Sequence, residues 1–408
     1  MTAKPKVVAA IIVAALGYFV DIYDLLLFSI IRVSSLKDLG LAGEQLTSTG
    51  IMLLDVQMIG MLLGGIAWGI LGDKKGRLSV LFGSILIYSL ANIANGFVQS
   101  IPAYALWRFI AGLGLAGELG AGITLVAELM PRQKRGYATM LVASVGISGA
   151  VVAYFVSDLF DWRTSFFIGG GLGLLLLFLR IGVRESGMFQ EAKHTTHRGD
   201  FFALFRSRRN VLRYIRCILI GVPLWFVVGI LVTLSPEFGK QLGVSGDISA
   251  GLAIAWCYGG MALGDVASGL LSQLLRSRVK VVLIFLALAV VSVAIYLTVP
   301  GLSLQWFYPL CGLLGFSVGY WVIFMTISTE QFGTNIRATV TTTAPNFARG
   351  ALVPSTILFH LLTQATGSII TGAAIVAVFL FLLAFWAVSG IRDSFHKELD
   401  YTEDLTAG

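Results

Sequence analysis

Twelve apolar runs, each about the 20 residues a helix needs to cross a hydrocarbon core of ~30 Å, take up most of this chain and leave little from which to build anything else. They fall near 7–31, 48–71, 78–99, 103–129, 137–157 and 164–183, and again near 212–234, 248–271, 281–299, 304–329, 338–361 and 368–390. Only 12% of residues are charged, against about 25% in soluble domains. The expected fold is an all-α membrane protein whose twelve transmembrane helices form two six-helix bundles. The start of the chain, with Lys4 and Lys6 before an apolar run, carries Asp21 and Asp24 and lacks a cleavage pattern, so it reads as a retained first span.

The formal charge of +7 is spread over short connections between runs rather than one face, which argues for topology and against a nucleic-acid partner. With the N-terminus in the cytosol, that side holds about 21 of the 29 Lys and Arg, while the opposite loops hold Arg32, Lys37, Arg163 and Lys240. Both termini are therefore expected inside a cell (inner) membrane. The expected divisions are an N-terminal bundle 1–185, a cytosolic linker 186–211, a C-terminal bundle 212–391 and a cytosolic tail 392–408. In the linker region, Phe201-Phe202-Ala203-Leu204-Phe205-Arg206-Ser207-Arg208-Arg209 sets aromatics beside arginines, as in a segment lying at the membrane interface. Cys217, Cys257 and Cys311 lie in apolar runs and read as small buried side chains.

The two halves echo one another at a distance of about 200 residues, the mark of an internal repeat. Gly69-Ile70-Leu71-Gly72-Asp73-Lys74-Lys75-Gly76-Arg77 closes one apolar run, and Gly269-Leu270-Leu271-Ser272-Gln273-Leu274-Leu275-Arg276-Ser277-Arg278 closes its counterpart. Glu128 followed by Arg135 is matched by Glu330 followed by Arg337. Two membrane halves about a pseudo-twofold axis, with a site between them, is the build of a secondary transporter.

The Gly69–Arg77 turn resembles the G-x-x-x-D-[RK]-x-G-[RK] signature between the second and third helices of the major facilitator superfamily. Within it, the first half is most similar to the metabolite:H⁺ symporters, the group of α-ketoglutarate and proline/betaine permeases. Their first helix reads E-W-Y-D, here Asp21-Ile22-Tyr23-Asp24, and their fourth is matched by Arg108, Gly112, Ala116-Gly117-Glu118-Leu119-Gly120-Ala121, Glu128, Pro131, Arg135 and Gly136. Arg184-Glu185-Ser186 resembles their segment after the sixth helix. Asp for Glu at 21, Ile for Trp at 22, Ala116 for a glycine and Gln273 for an aspartate depart from the pattern. The aromatic-acid symporters, with D-G-F-D in the first helix, fit Asp21 and Asp24 about as well. The resemblance implies that the first and fourth helices line a central cavity.

A charge near the bilayer centre costs at least ~2.5 kcal/mol and marks a functional position by default. At 1.5 Å per residue, Asp21 lies about 9 Å from the outer face, Arg108 about 7 Å and Asp55 about 10 Å, with Asp24 one turn from Asp21. Carboxylates beside one arginine make a proton site, so Asp21 or Asp24 is the expected carrier, with Arg108, Asp55 and Glu118 as associated groups; a static Asp–Arg bridge is the alternative. Arg349, about 16 Å into its helix within Pro345-Asn346-Phe347-Ala348-Arg349-Gly350, has no second-half carboxylate expected at its depth, since Asp265 and Glu330 fall near the cytosolic end. It is the expected partner of a substrate carboxylate, unless it pairs with Glu118 or snorkels to water. Asn346, Tyr23, Trp225, Tyr320 and Trp321 are the candidate walls of that substrate site.

The cytosolic turns supply a candidate gate: Gly69, Asp73, Arg77, Glu128 and Arg135, with Gln273, Glu330 and Arg337 in the second half. Their expected role is to bias a two-state equilibrium. Gly60/Gly64 and Gly65/Gly69 form GxxxG steps suited to close helix contact. The literal GxGxxG at Gly112–Gly117 follows no strand, His194 and His197 lack companion ligands, and no Walker A sequence is present. No catalytic group, metal or cofactor is expected. The expected function is proton-coupled symport of a small organic anion by a monomer in the lipid bilayer. The alternative is a drug or cation antiporter, or a facilitative exporter, of the same fold, which Arg349 disfavours by repelling cations.

Overall fold

The computed structural model describes residues 5–130, 132–180, 201–205, 207–395 and 401. Twelve helical spans run antiparallel. The first six are α1 (Pro5–Asp38), α2 (Gly43–Lys75), α3 (Arg77–Gly96), α4 (Ile101–Leu115 with Glu118–Leu129), α5 (Arg132–Ile147 with Gly149–Leu159) and α6 (Trp162–Leu179). The second six are α7 (Arg208–Phe226, continued by the π-helical turns Val227–Val232), α8 (Ala250–Leu274), α9 (Arg278–Thr298), α10 (Leu304–Ser317 with Trp321–Gln331), α11 (Arg337–Gly350 with Leu352–Thr366) and α12 (Ile369–Ser389). The end carrying Pro5, the α2–α3 turn and Ser394 is termed basal, and the opposite end distal. Most of the expected linker 186–211 and tail 392–408 lies outside the described residues, as do Arg184-Glu185-Ser186, His194 and His197.

Among the described residues, ten spans are long and apolar enough to cross a membrane. The other two, α4 and α11, cover the same depth as pairs of abutting helices. Breaks recur at matching places, near Ala116 in α4 and Val318 in α10, and at Ser148 in α5 and Ala351 in α11, about 200 residues apart as an internal repeat requires. Their local causes differ. In α11, Pro354 has no N–H to offer the Gly350 carbonyl. In α5, the Ser148 hydroxyl donates back to the Val145 carbonyl at 2.6 Å. Freed backbone groups at such depth must find partners inside the protein, which makes the breaks natural places for polar side chains to gather.

Each bundle is built on a tight pair. α2 lies on α4 with Gly60 and Gly64 against the backbone of Phe109 and Leu113, and α8 lies on α10 with Gly260 and Gly264 against Gly312 and Phe316. A Cβ at any of these four glycines would stand under 2.5 Å from a carbonyl oxygen, so only glycine allows the approach. Of the GxGxxG sequence, Gly112 serves the same packing against Gln57, and Gly114 lets α4 close on Tyr88 of α3.

Candidate functional site

Between the bundles, Asp21 of α1 and Arg349 of α11 face each other with Nη2 3.8 Å from Oδ2. Both are buried, at 0% and 1% exposure. The contact is loose. Among the described residues, neither Asp21 oxygen accepts a hydrogen bond, and Nε and Nη2 of Arg349 donate none. The guanidinium carbon lies 5.4 Å from the Trp225 ring centre and 5.8 Å from that of Trp321, and the two indoles meet edge to face at 6.0 Å. Cation–π attraction in a desolvated setting supports the guanidinium there without using up its hydrogen-bond donors.

Asn346 is one turn from Arg349, and its carbonyl accepts from Arg349 Nη1 at 3.3 Å. Its amide donates to the Ala116 carbonyl at the break in α4, at 2.8 Å, and to the Thr342 carbonyl at 2.7 Å. Asn346 therefore holds Arg349 and ties α11 to α4, rather than presenting free donors. Tyr320 donates to the Ile220 carbonyl at 2.9 Å and Tyr23 to the Ser165 carbonyl at 3.0 Å. Both hydroxyls are engaged by neighbouring helices.

Arg108 bonds none of the expected carboxylates among the described residues, although Asp24 lies within electrostatic reach of it. Arg108 Nη2 donates to the Gln57 side-chain carbonyl, and its guanidinium rests 5.0 Å from the Phe28 ring centre. Asp24 is fully buried beside Gly169 of α6, and neither oxygen has a partner at hydrogen-bond distance among the described residues. Asp55 is only half-buried and accepts from the Thr356 hydroxyl at 3.1 Å, across the bundle interface near the distal end.

Glu118 does not reach Arg349. It pairs with Arg180, whose Nη1 donates to Oε2 at 3.0 Å and to the Leu81 carbonyl at 2.6 Å, while Nη2 contacts Oε1. Gly17 leaves room for the pair against α1, since a Cβ there would stand 2.0 Å from the carboxylate. Sequence reasoning missed Arg180, whose signal was an arginine closing an apolar run. It also misplaced Asp265. That carboxylate faces the break in α10 and accepts from the Val322 N–H at 3.1 Å, capping the segment that begins with Trp321. Asp265 thus fixes one wall of the Arg349 site.

Both ends of the interface are shut. At the basal end Asp73 accepts from the Thr339 N–H at 2.7 Å and from its hydroxyl at 2.6 Å, in the first turn of α11. Unpaired N–H groups and the helix dipole both favour a carboxylate there. Gly65 and Gly69 let α2 close on Asn346 and Thr339. At the distal end Arg32 pairs with Glu237 at 3.0 Å, alongside the Asp55–Thr356 contact. The sequence did not single out the Arg32–Glu237 pair.

The second-half turn is built differently. Glu330 pairs with Arg278 at 3.5 Å and accepts from the Ser394 hydroxyl at 2.8 Å, and Arg337 donates to the Thr334 hydroxyl at 3.1 Å. Gln273 is half-buried and makes no hydrogen bond among the described residues. The side chains of Arg77, Glu128 and Arg135 lie outside the described residues. No group of three or more potential metal ligands occurs among the described residues.

Residues 10–353 match the family profile of the Major Facilitator Superfamily. A putative metabolite transport protein of Haemophilus influenzae is 29% identical over 360 residues, covering 83% of this chain and 85% of that protein. The putative niacin/nicotinamide transporter NiaP of Bacillus subtilis is 27% identical over 350 residues, covering 83% and 84%. Among solved structures, the proton:xylose symporter XylE bound to 6-bromo-6-deoxy-D-glucose superposes with a TM-score of 0.76 over 98% of both chains at 17% identity, a likeness of fold.

Proposed function

This chain belongs to the Major Facilitator Superfamily and is a multi-pass membrane transporter rather than an enzyme, and on that premise we propose that it carries a small carboxylate together with a proton by alternating access. The observation that carries this reading is the loose pair Asp21–Arg349, divided between the two bundles. A substrate carboxylate and the Asp21 carboxylate compete for one guanidinium. Protonating Asp21 removes the competitor and frees Arg349 for a bidentate contact. Anion and proton then bind together, and the pair reforms after both have left. Uptake of a bare anion is disfavoured because it would place two carboxylates beside one arginine.

Trp225 and Trp321 beside Arg349 favour a flat ligand. Niacin, in the name of the Bacillus relative, is an aromatic ring bearing a carboxylate and fits that description. In this reading Asp24, one turn from Asp21 on α1 towards the distal end, and Arg108 of α4 relay the proton. Glu118 holds α4 to α6 as a structural group. The basal contacts of Asp73 and Gly69, with Arg77, Glu128 and Arg135 in the first half and Gln273, Glu330 and Arg337 in the second, set the balance between conformers. The basal end faces the cytosol, and the protein works as a monomer.

Thermal stabilisation of the purified protein by niacin and by nicotinamide, which differ in carboxylate against carboxamide, tests the reading. Stabilisation by niacin that strengthens as pH falls and vanishes in Arg349→Ala is expected. Equal stabilisation by both compounds, or by organic cations, overturns it.

A further inference from the structure

Outside the interface, a cavity of about 420 Å³ opens at the basal end between α7 and α12, lined by Arg209, Arg213, Arg216, Arg392 and Asp393 among others. Its charge is one-sided in practice. Asp393, the lining carboxylate, is already occupied: it accepts from the N–H groups of Arg278 at 3.1 Å, Val279 at 3.3 Å and Phe395 at 3.0 Å, and from the Ser277 hydroxyl. Partial burial works against its charge, yet the bonds from Ser277 and these backbone groups outweigh that and hold Asp393 below the usual carboxylate range. Arg209, Arg216 and Arg392 have no carboxylate partner among the described residues.

Two of the arginines are fixed in place rather than free in solvent. Arg213 donates to the Gln331 carbonyl at 2.9 Å and to the Asn210 side chain at 2.7 Å, with its guanidinium 4.2 Å from the Phe332 ring centre. Arg216 donates to the Gly390 carbonyl at 2.7 Å and lies 5.1 Å from the Trp386 ring centre. Its buried Nε has no partner. Any Cβ at position 390 would stand 1.9 Å from the Arg216 guanidinium, so Gly390 makes the seat. Guanidinium groups crowded in this way repel one another until an anion joins them.

The surroundings identify the anion's carrier. Leu212 and Ile215 of α7 and Trp386 of α12 are 37%, 41% and 46% exposed, an apolar wall in a chain whose solvent is lipid, with a tryptophan at its basal end where an interface belongs. Basic pockets between helices at a membrane surface recognise phosphate headgroups. We infer that the α7–α12 cavity is a binding site for the phosphate of an anionic phospholipid, seated on Arg209, Arg213 and Arg216, with its acyl chains along Leu212 and Ile215. Arginine suits the role because its planar fork meets two phosphate oxygens at once. The Phe201–Arg209 stretch noted in the sequence delivers Arg209 to this site.

Delipidated protein titrated with phosphatidylglycerol, phosphatidylcholine or inorganic phosphate, and read by thermal unfolding and native mass spectrometry, decides the matter. Phosphatidylglycerol is expected to remain bound and raise the melting temperature, with apparent affinity falling at least tenfold in Arg209→Gln/Arg216→Gln. Lys240→Gln, a charge change at the distal end, should leave binding unchanged. Equal effects of phosphatidylcholine, or undiminished binding by the double variant, overturn the site. The same stabilisation by inorganic phosphate alone overturns the lipid as its source. Arg209→Gln alone, an exposed position with no hydrogen bond to lose among the described residues, gives a second reading should the double variant unfold.

Discussion

Asp21 and Arg349 belong to different bundles and meet at 3.8 Å in a buried setting, with hydrogen-bonding capacity left over on both sides. A pair made to last would be closer and fully bonded, because burying charge is costly unless geometry is good. This one is suited to exchange.

Replacing Asp21 with Asn removes the competing charge and the titratable group together. Anion binding to Asp21→Asn is expected to be tighter at neutral pH and to lose its dependence on pH. Accumulation driven by a proton gradient should stop while exchange of substrate across liposomes continues. Retained uphill uptake would move the proton to Asp24.

Arg349→Lys keeps the charge but gives up the fork, and should weaken carboxylate binding by roughly 1–3 kcal/mol. Arg349→Ala should abolish it while leaving a monodisperse protein. Isothermal titration with a carboxylate ligand checks both, and normal transport by the alanine variant would make the arginine structural.

The two ends of the interface predict opposite shifts. Asp73→Asn weakens the acceptor for the Thr339 N–H and hydroxyl and should raise cysteine labelling from the basal side. Glu237→Gln breaks the pair with Arg32 and should raise labelling from the distal side. Intrinsic affinity should change little in either, although apparent affinity falls with the competent population. Labelling that stays the same on both sides would reduce these residues to topology markers.

Glu118→Gln leaves Arg180 buried without its counter-charge, a loss of about 3–5 kcal/mol when one partner of a buried pair is removed. The expected result is a lower melting temperature, with any surviving folded protein still coupling substrate to protons. Unimpaired stability with lost coupling would instead give Glu118 a share in proton transfer.

The fold could be read from the sequence because lipid imposes a simple rule: apolar runs of sufficient length become spans, and the repeat of Glu128/Arg135 in Glu330/Arg337 pairs the halves. Depth along a helix was legible too, which is why Asp21 and Arg349 were both singled out. Azimuth was not. Asp21 and Arg108 share a level, yet Arg108 turns to Gln57 and Asp21 to Arg349. Rise per residue says how deep a side chain sits and nothing about which neighbour it faces. The breaks in α4 and α10 were equally silent, so Asn346 read as a ligand contact when it binds the Ala116 carbonyl, and Asp265 read as a basal charge when it caps the segment bearing Trp321.

The duplicated halves are not mechanical equals. Asp73 fastens the α2–α11 seam through two hydrogen bonds to Thr339, while at the corresponding place Gln273 makes no hydrogen bond among the described residues and Gly269 rests on the Met140 side chain. One seam is a hasp and the other a smooth bearing. Symmetry in the backbone therefore comes with a lopsided seam: on the proposed cycle the basal mouth would open along α2–α11, where Asp73 must release Thr339, whereas the α5–α8 contact shows no hydrogen bond to break among the described residues.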